Sequence, residues 1–289
     1  MFFYQNEARQ ISLQISKILD TAGIYYRIFS RGKSDDSLHK KINKVPGKYD
    51  QNKKIQDLIG VRVCLYFSDD IDITKSLLCE KFNYDSKSST IDLPHDTEFG
   101  PTRYNLIYKL PQDIEETIRP SPTFSNLIDK TFEVQIRTIL SEGWHEVEHD
   151  LRYKFPSDWQ TTSRENRALN SVLATLETAE WSTLKLIDDL AHLHYKNKNW
   201  EAMIRSKFRL RFTDQPLDNN LIRWLNSDEK SAKAIFRTDR EELIYLFAKL
   251  KSIPITMSNL IYALNYQKTL DEEIKESTPR FLKNILTSL

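Results

Sequence analysis

The chain has 289 residues, a net charge of +1, 39% hydrophobic residues and 29% charged residues, an ordinary globular composition that excludes a disordered or fibrous protein. This length accommodates one large domain or a main domain with a smaller one. The N-terminus is apolar for only its first few residues, so we expect neither a signal peptide nor a membrane span. Two cysteines provide no disulfide framework and no metal-ligand spacing, which favours the reducing cytoplasm.

The first predicted elements are a helix, a short strand and a second helix. Apolar residues at helical spacing predict a helix that ends near Ala22. Aromatic and apolar residues predict a strand over residues 25–29. Ser34 is then a suitable N-cap for a helix on which Ser37 and Lys41, four residues apart, share one face.

The segment from Arg27 to Lys54 is strongly basic although the whole chain is nearly neutral. It contains nine basic residues and three acidic ones. A solvated, charged helix is the ordinary explanation for such a run, and an anionic ligand is the alternative.

The middle of the chain alternates between predicted strands and helices. β-Branched and aromatic residues predict a central strand over residues 58–67, helical spacing follows over 71–82, and strand character returns over 104–110. In residues 131–137, alternation places Phe132, Val134 and Ile136 on one face and Glu133, Gln135 and Arg137 on the other.

A helix is predicted directly after this last strand. Thr138 is a suitable N-cap, and we expect Trp144, Val147 and Leu151 to form its apolar stripe. The alternation of strands and helices stops near residue 160, and a long helical pattern begins. We therefore predict two domains, residues 1–160 and a mostly helical region over residues 161–289.

Candidate phosphate-binding side chains lie in the basic segment. The chain has only six glycines and lacks the GxxxxGK[ST] loop that cradles phosphates with backbone amides, so side chains must bind any phosphate. Arg31 and Lys33 at the end of a strand precede a helix N-terminus, which favours anions. Asp57 and Glu133 are candidate Mg²⁺ ligands, because Mg²⁺ takes few protein carboxylates.

Four ordered motifs resemble the RelA/SpoT family of (p)ppGpp synthetases, in particular small alarmone synthetases and their toxic relatives. The motifs are RGKSDDSLHKK at 31–41, similar to RxKSxxSxxxK; IQDLIGVR at 55–62, similar to IxDLxGxR; EVQIRT at 133–138, similar to ExQIRT; and WHEVEHDLRYK at 144–154, similar to the helix that follows. The resemblance covers about residues 20–160.

The resemblance implies an α+β fold, a nucleotidyltransferase-like mixed β-sheet flanked by helices, and an enzyme that moves pyrophosphate from ATP to a 3′-hydroxyl with Mg²⁺. It implies that the ATP-binding residues are Arg31, Lys33, Ser37, Lys41 and Arg62. It implies that Asp57 and Glu133 are the catalytic and metal-binding residues, with Gln135 and Arg137 positioning the acceptor.

In the RelA/SpoT family, the segment that receives the acceptor nucleotide has the pattern GYxSxH, and this chain departs from it. The matching stretch is Gly100-Pro-Thr-Arg-Tyr-Asn105, in which Pro101 replaces the stacking Tyr and Asn105 replaces the His. Asn105 can still hydrogen-bond but cannot titrate near neutral pH. Tyr104 is the candidate replacement platform, although an aromatic residue in a strand is more often part of the core.

Three functions remain open at this point. The enzyme uses GDP or GTP as acceptor; or it is a toxic synthetase that modifies adenine nucleotides or the 3′ end of tRNA; or the domain is catalytically silent and senses a nucleotide or partner. An antitoxin partner follows only by analogy. For tRNA, the alternation of basic residues over 205–211 predicts a basic ribbon if that segment is extended.

Overall fold

A computed structural model of the chain describes residues 4–44, 49, 53–93, 99–100, 102–118, 125–250 and 253–288. It divides into two units, one formed by residues 1–17 and 26–180 and the other by residues 18–25 and 181–289. Within the described ranges, every helix is too short or too polar to cross a membrane. The two domains expected from the sequence, residues 1–160 and 161–289, stay a prediction.

The described part of the first unit contains five strands. They are β1 (Tyr26–Gly32), β2 (Ile59–Leu65), β3 (Tyr84–Asp92), β4 (Arg103–Lys109) and β5 (Thr131–Thr138). Its helices are the first part of α1 (Gln5–Ala22), α2 (Asp35–Lys44), α3 (Ile71–Cys79), α4 (Gln112–Glu115), α5 (Ile139–Val147) and the first part of α6 (Ser163–Lys196). Short 3₁₀ turns and a π-helical stretch, Glu148–Tyr153, also belong to this unit.

The second unit is helical. Besides the ends of α1 and α6, it contains α7 (Trp200–Phe208), α8 (Asn219–Ser227), α9 (Glu229–Phe236), α10 (Arg240–Leu250), α11 (Met257–Lys268), α12 (Glu272–Ser277) and α13 (Arg280–Thr287). Phe208, Phe247 and Leu260 are fully enclosed in its core. The buried Arg240 donates from Nε to the carbonyl of Phe208 at 2.7 Å, which satisfies a free carbonyl at the end of α7.

The strands form one mixed sheet in the order β1-β2-β5-β4-β3. Strands β2 and β5 are parallel, and the other three pairs are antiparallel. One face is apolar and buried under helices, with Val63, Val134 and Leu106 almost fully enclosed. The predicted α+β fold with a mixed sheet flanked by helices and a mostly helical C-terminal part is confirmed.

Most predicted elements lie within a few residues of those in the structure, but strand β3 was missed. Its sequence, YDSKSSTID, is polar and lacks an alternating apolar face because β3 lies at the sheet edge with only one neighbour. The prediction of Thr138 as an N-cap is confirmed, since its side chain accepts a hydrogen bond from the Ser141 amide. Ser34 likewise accepts from the Ser37 amide at 3.3 Å.

The predicted apolar stripe after β5 is wrong. Trp144 is buried, and its Nε1 donates to the Leu169 carbonyl at 2.7 Å, but Val147 and Leu151 are 47% and 59% exposed. The π-helical geometry that begins at Glu148 has a wider turn than an α-helix, so Leu151 leaves the face that α-helical spacing predicts.

The predicted basic ribbon over residues 205–211 is also wrong. Arg205 and Lys207 lie on helix α7, and Arg209 is a left-handed C-cap residue rather than part of a strand. Arg209 is buried and pairs with Asp188 at 3.2 Å. Because the side chain of Asn199 caps a helix through this segment, the basic residues do not share one extended face.

Replacing Gly32 with Ala tests the packing of α1 against the end of β1. A Cβ at Gly32 would overlap the backbone carbonyl of Tyr4, which cannot move without shifting the start of α1. We expect Gly32→Ala to lower the free energy of unfolding by at least about 2 kcal/mol, measured by urea denaturation.

Gly143→Ala is the matched control. A Cβ at Gly143, in helix α5, meets no described atom within 4 Å. We expect this variant to gain up to about 1 kcal/mol from helix propensity. Equal stability of the Gly32 variant and the wild type would contradict the packing described for α1.

Candidate active site

The polar face of the sheet collects residues from separate motifs into two rows. The register aligns Arg31 with Gly60 and Gly60 with Glu133 in one row. In the next row, Arg62 lies beside Gln135, and Gln135 lies beside Asn105. Gly60 has no side chain, so Arg31 and Glu133 face each other across it. Adjacent strands lie about 5 Å apart, so Arg62, Gln135 and Asn105 are immediate neighbours.

Asp57 lies just before β2 and binds two lysines. Its Oδ2 accepts from Lys33 Nζ at 2.6 Å and from Lys41 Nζ at 2.7 Å. Lys33 is held in place because its backbone amide donates to the Leu58 carbonyl at 2.9 Å. Burial alone would raise the pKa of Asp57, but the two ammonium groups outweigh burial and hold this pKa below its ordinary value.

The second oxygen of Asp57 has a different environment. Asp57 Oδ1 is buried and accepts no hydrogen bond from any described residue. A buried carboxylate oxygen without a partner is costly, and such atoms mark places where a ligand or ion supplies the missing interaction.

Glu133 lies on β5 next to this cluster. Burial is the main cause of a raised pKa at Glu133, and the negative charge of Asp57 adds to it, while Lys41, Lys33 and Arg31 act in the opposite direction. Gln135 Nε2 donates to Glu133 Oε2 at 3.2 Å. Glu133 is therefore an oriented carboxylate with a greater proton affinity than an ordinary glutamate.

Arg62 is the centre of a charged network over β2 and β5. Its Nε donates to Gln135 Oε1 at 3.2 Å, its Nη1 donates to Glu142 Oε1 at 2.5 Å, and Nη1 also contacts the Glu146 carboxylate. The other oxygen of Glu142 accepts from Arg137 Nη1 at 3.0 Å. Glu142 thus connects the guanidinium groups of two neighbouring strands.

Glu142 and Glu146 were not predicted as site residues. Both lie on α5, four residues apart, so they share the helix face that lies over the sheet. The sequence signal for these two residues was their four-residue spacing shortly after EVQIRT. Exposed glutamates at this spacing are common on helices, so the signal was not specific.

Among the described residues, Glu133 lines two clefts that open on the polar face. The first lies between the side chains of Arg31 and Arg62 and is also lined by Phe29, Gly60 and Glu146. The second lies beside Asp57; further residues lining it are Lys41, Tyr49, Lys53, Lys54, Gln56, Ser88, Thr90 and Asn105. Glu133 therefore separates a cleft with two guanidinium groups from one with three lysines.

The remaining predicted site residues have different positions. Ser37 is exposed on α2, one turn before Lys41. Tyr104 lies on the buried face of β4, where its hydroxyl donates to Asp72 at 2.9 Å, so the structure does not bring Tyr104 to the polar face. Neighbouring strand residues point to opposite faces, and Asn105 takes the polar side. Pro101 lies outside the described residues.

The residues present fit a magnesium ion. No group of three or more His, Cys, Asp or Glu side chains in the described ranges is arranged to hold a metal. Mg²⁺ requires fewer protein ligands, since it keeps several waters and binds one or two carboxylates together with phosphate oxygens. The unpartnered Oδ1 of Asp57 and the neighbouring Glu133 are such donors.

The family model described as "Region found in RelA / SpoT proteins" matches residues 30–158. This part of the chain is therefore similar to RelA and SpoT proteins. It contains every predicted site residue, from Arg31 to Arg137, and both glutamates of α5.

A curated protein also resembles part of this chain. GTP pyrophosphokinase YjbM of Bacillus subtilis (strain 168) is 29% identical over 101 residues, which cover 35% of this chain and 44% of that protein. The matched segment therefore spans less than half of that relative.

Two solved structures also resemble this chain. Small alarmone synthetase 1 from Bacillus subtilis is 21% identical with a TM-score of 0.46, covering 63% of this chain and 91% of that one. A GTP pyrophosphokinase family protein from Streptococcus pneumoniae is 18% identical with a TM-score of 0.48, covering 64% and 89%.

Replacing Glu133 with Gln tests its electrostatic environment. A carboxyl group whose pKa is raised by folding stabilises the fold below its unfolded pKa and loses that contribution as pH rises through the folded pKa. We therefore expect Glu133→Gln to unfold at a higher urea concentration than the wild type at pH 7. The difference should shrink below about pH 4.3, the ordinary glutamate pKa.

Glu276→Gln, at an exposed position of α12, is the control and should change the urea midpoint little at either pH. A Glu133→Gln variant less stable than the wild type at pH 7 would contradict the raised pKa.

Proposed function

We propose that this chain is a pyrophosphokinase that transfers pyrophosphate from ATP to the 3′-hydroxyl of a guanosine nucleotide. One observation carries the proposal: two carboxylates, Asp57 and Glu133, meet beside the ammonium groups of Lys33 and Lys41. The RelA/SpoT region and the name of the relative, GTP pyrophosphokinase, point to the same reaction.

The cleft between Arg31 and Arg62 suits the adenine of ATP. Guanidinium planes stack on aromatic rings, and Arg62 is fixed in position by Gln135, Glu142 and Glu146. A fixed guanidinium loses less side-chain entropy on binding than a mobile one, so this network favours ATP binding.

The lysines of the Asp57 cluster suit the triphosphate. Each ammonium group has three N–H donors, of which Asp57 occupies one in Lys33 and one in Lys41. The remaining donors are available to phosphate oxygens, and the exposed Ser37 hydroxyl lies one helical turn from Lys41.

Asp57 and Glu133 would hold Mg²⁺, which stabilises negative charge on the phosphates when bound. Glu133 also has the proton affinity to accept the proton of the acceptor 3′-hydroxyl. The resulting oxygen attacks the β-phosphorus of ATP, the bond from that phosphorus to the oxygen bridging it to the α-phosphate breaks, and AMP leaves with the electron pair. Charge neutralisation and alignment supply most of the rate in such reactions.

The second cleft suits the acceptor because it borders Glu133 and offers the hydrogen-bonding groups of Ser88, Thr90 and Asn105. The tRNA alternative loses its supporting feature, since Arg205 to Arg211 do not form a basic ribbon. A silent sensor has no need for an oriented carboxylate beside a second one, so the geometry favours the enzyme.

Incubation with Mg²⁺ and ATP labelled in its β-phosphate tests the proposal. GDP, GTP, ADP and bulk tRNA are supplied separately, and products are separated by chromatography. We expect label on GDP or GTP with one AMP released for each pyrophosphate transferred. Label on tRNA or ADP alone would replace the guanosine acceptor, and absence of AMP with every acceptor would overturn the enzymatic function.

Loss of either carboxylate should abolish most of the transfer. We expect Asp57→Asn and Glu133→Gln each to lower kcat/KM by at least about 100-fold, because each removes a metal ligand and Glu133 also accepts the proton. Glu276→Gln is the control, and circular dichroism checks the fold. Full activity in both site variants would refute their assignment.

A further inference from the structure

Two arginines lie side by side at one end of the polar face, beyond the row of Gln135 and Asn105. The last aligned pair of β4 and β5 is Tyr104 with Ile136, so the same register puts Arg103 opposite Arg137. Like charges directly opposite each other on one sheet face repel. This pair therefore requires negative charge nearby.

The described residues supply too little of that charge. Glu142 shares its two oxygens between Arg137 and Arg62, and Glu146 also binds Arg62, so three guanidinium groups face two carboxylates. None of the described residues forms an ion pair or hydrogen bond with the Arg103 side chain. Asp92 is aligned with Arg103 on β3, but it is exposed and makes no ion pair with it in the described part of the chain.

Unpartnered polar atoms lie in the same region. Arg137 Nε is buried without a hydrogen-bond partner among the described residues, although Arg137 Nη1 is bound. His145 on α5 is only 3% exposed, and its Nε2 also lacks a partner in the described ranges. Burial, with the charges of Arg137, Arg103 and Arg62, lowers the pKa of His145 to about 3, so its imidazole is neutral.

The distance between Glu133 and Arg137 indicates which part of the acceptor would bind to the two arginines. Glu133 and Arg137 are four residues apart on β5, or about 13 Å between Cα atoms at 3.3 Å per residue. Because both side chains are long, the Glu133 carboxylate and the Arg137 guanidinium group lie closer together than the two Cα atoms, at a separation that a nucleotide spans. A ribose whose 3′-hydroxyl meets Glu133 carries its 5′-phosphate on the opposite side of the sugar ring.

We propose that Arg103 and Arg137 form an anion subsite that binds the 5′-phosphate group of the acceptor. The inference rests on the proposed function, and it names the part of the acceptor that this chain recognises. Guanidinium groups bind phosphate oxygens through paired N–H donors, which makes such contacts strong and directional. Arg103 occupies the position where the GYxSxH pattern has Ser, so this subsite is a departure of this chain from that pattern.

Binding to the Glu133→Gln variant tests the subsite without relying on turnover. Isothermal titration calorimetry compares guanosine, GMP and GDP, and a CCA trinucleotide with a free 3′-hydroxyl. In the Glu133→Gln variant, adding Arg103→Gln should raise Kd by about 10-fold or more for the phosphate-bearing ligand that binds. This is the loss expected for a charged hydrogen bond. Arg103→Lys should recover part of the loss, and guanosine binding should change less than twofold.

Arg27→Gln is the matched control, because Arg27 is exposed on β1 and aligns with Cys64 of β2, which in turn aligns with Arg137. It should leave binding unchanged. Tighter binding of GDP than of the trinucleotide identifies a nucleotide 5′-phosphate, and the reverse identifies a phosphodiester. Equal weakening of guanosine and GDP, or no weakening by Arg103→Gln, would overturn the subsite.

The two proposals fail in distinguishable ways. Absence of AMP release by the wild-type chain would refute pyrophosphate transfer while the calorimetric comparison still reports on the subsite. AMP release with KM for GDP unchanged by Arg103→Gln would refute the subsite alone.

Discussion

The parallel pairing of β2 with β5 is the interaction on which the candidate site depends. It joins segments more than 70 residues apart in sequence and aligns Gly60 with Glu133 and Arg62 with Gln135. A shift of one residue would turn every one of these side chains to the opposite face. The apolar residues between them, such as Val63 and Val134, are almost fully buried and resist such a shift. The core therefore fixes the register that assembles the polar face.

The two carboxylates on the polar face, Asp57 and Glu133, have different electrostatic surroundings. Asp57 is stabilised as an anion by two lysines, whereas Glu133 is buried beside Asp57 and holds its proton more tightly. Two carboxylates in such different surroundings suit different tasks, one as a permanent negative charge and the other as a proton acceptor. The burial that raises the Glu133 pKa costs folding free energy, which is a common feature of sites built for function.

Helix α5 covers part of the sheet and also supplies side chains that contact the polar face. Its N-cap, Thr138, is the last residue of β5, so the helix begins where the polar face ends. Glu142 and Glu146 then reach back to Arg62, and His145 faces the arginines at the end of β4 and β5. The first part of α6 holds α5 from outside through Trp144 and the Leu169 carbonyl. Orientation of Arg62 thus depends on a helix whose own position depends on α6.

The sequence by itself determined the strands with clear alternation and the helix caps, because burial on one face leaves a period of two and capping needs particular side chains. Motifs at the expected spacing also predicted Arg31, Lys33, Asp57 and Glu133 as candidate site residues. Strand β3 was not found, because an edge strand without a buried face carries no periodic signal.

Only the tertiary structure decided which residues share a face across strands. It placed Tyr104 in the core, brought Glu142 to Arg62, and put Arg103 one residue beyond the last aligned pair of β4 and β5. It also replaced the expected basic ribbon with helix α7. These outcomes depend on strand register and helix packing, which are set by contacts between residues far apart in sequence, and no local pattern of residues encodes them.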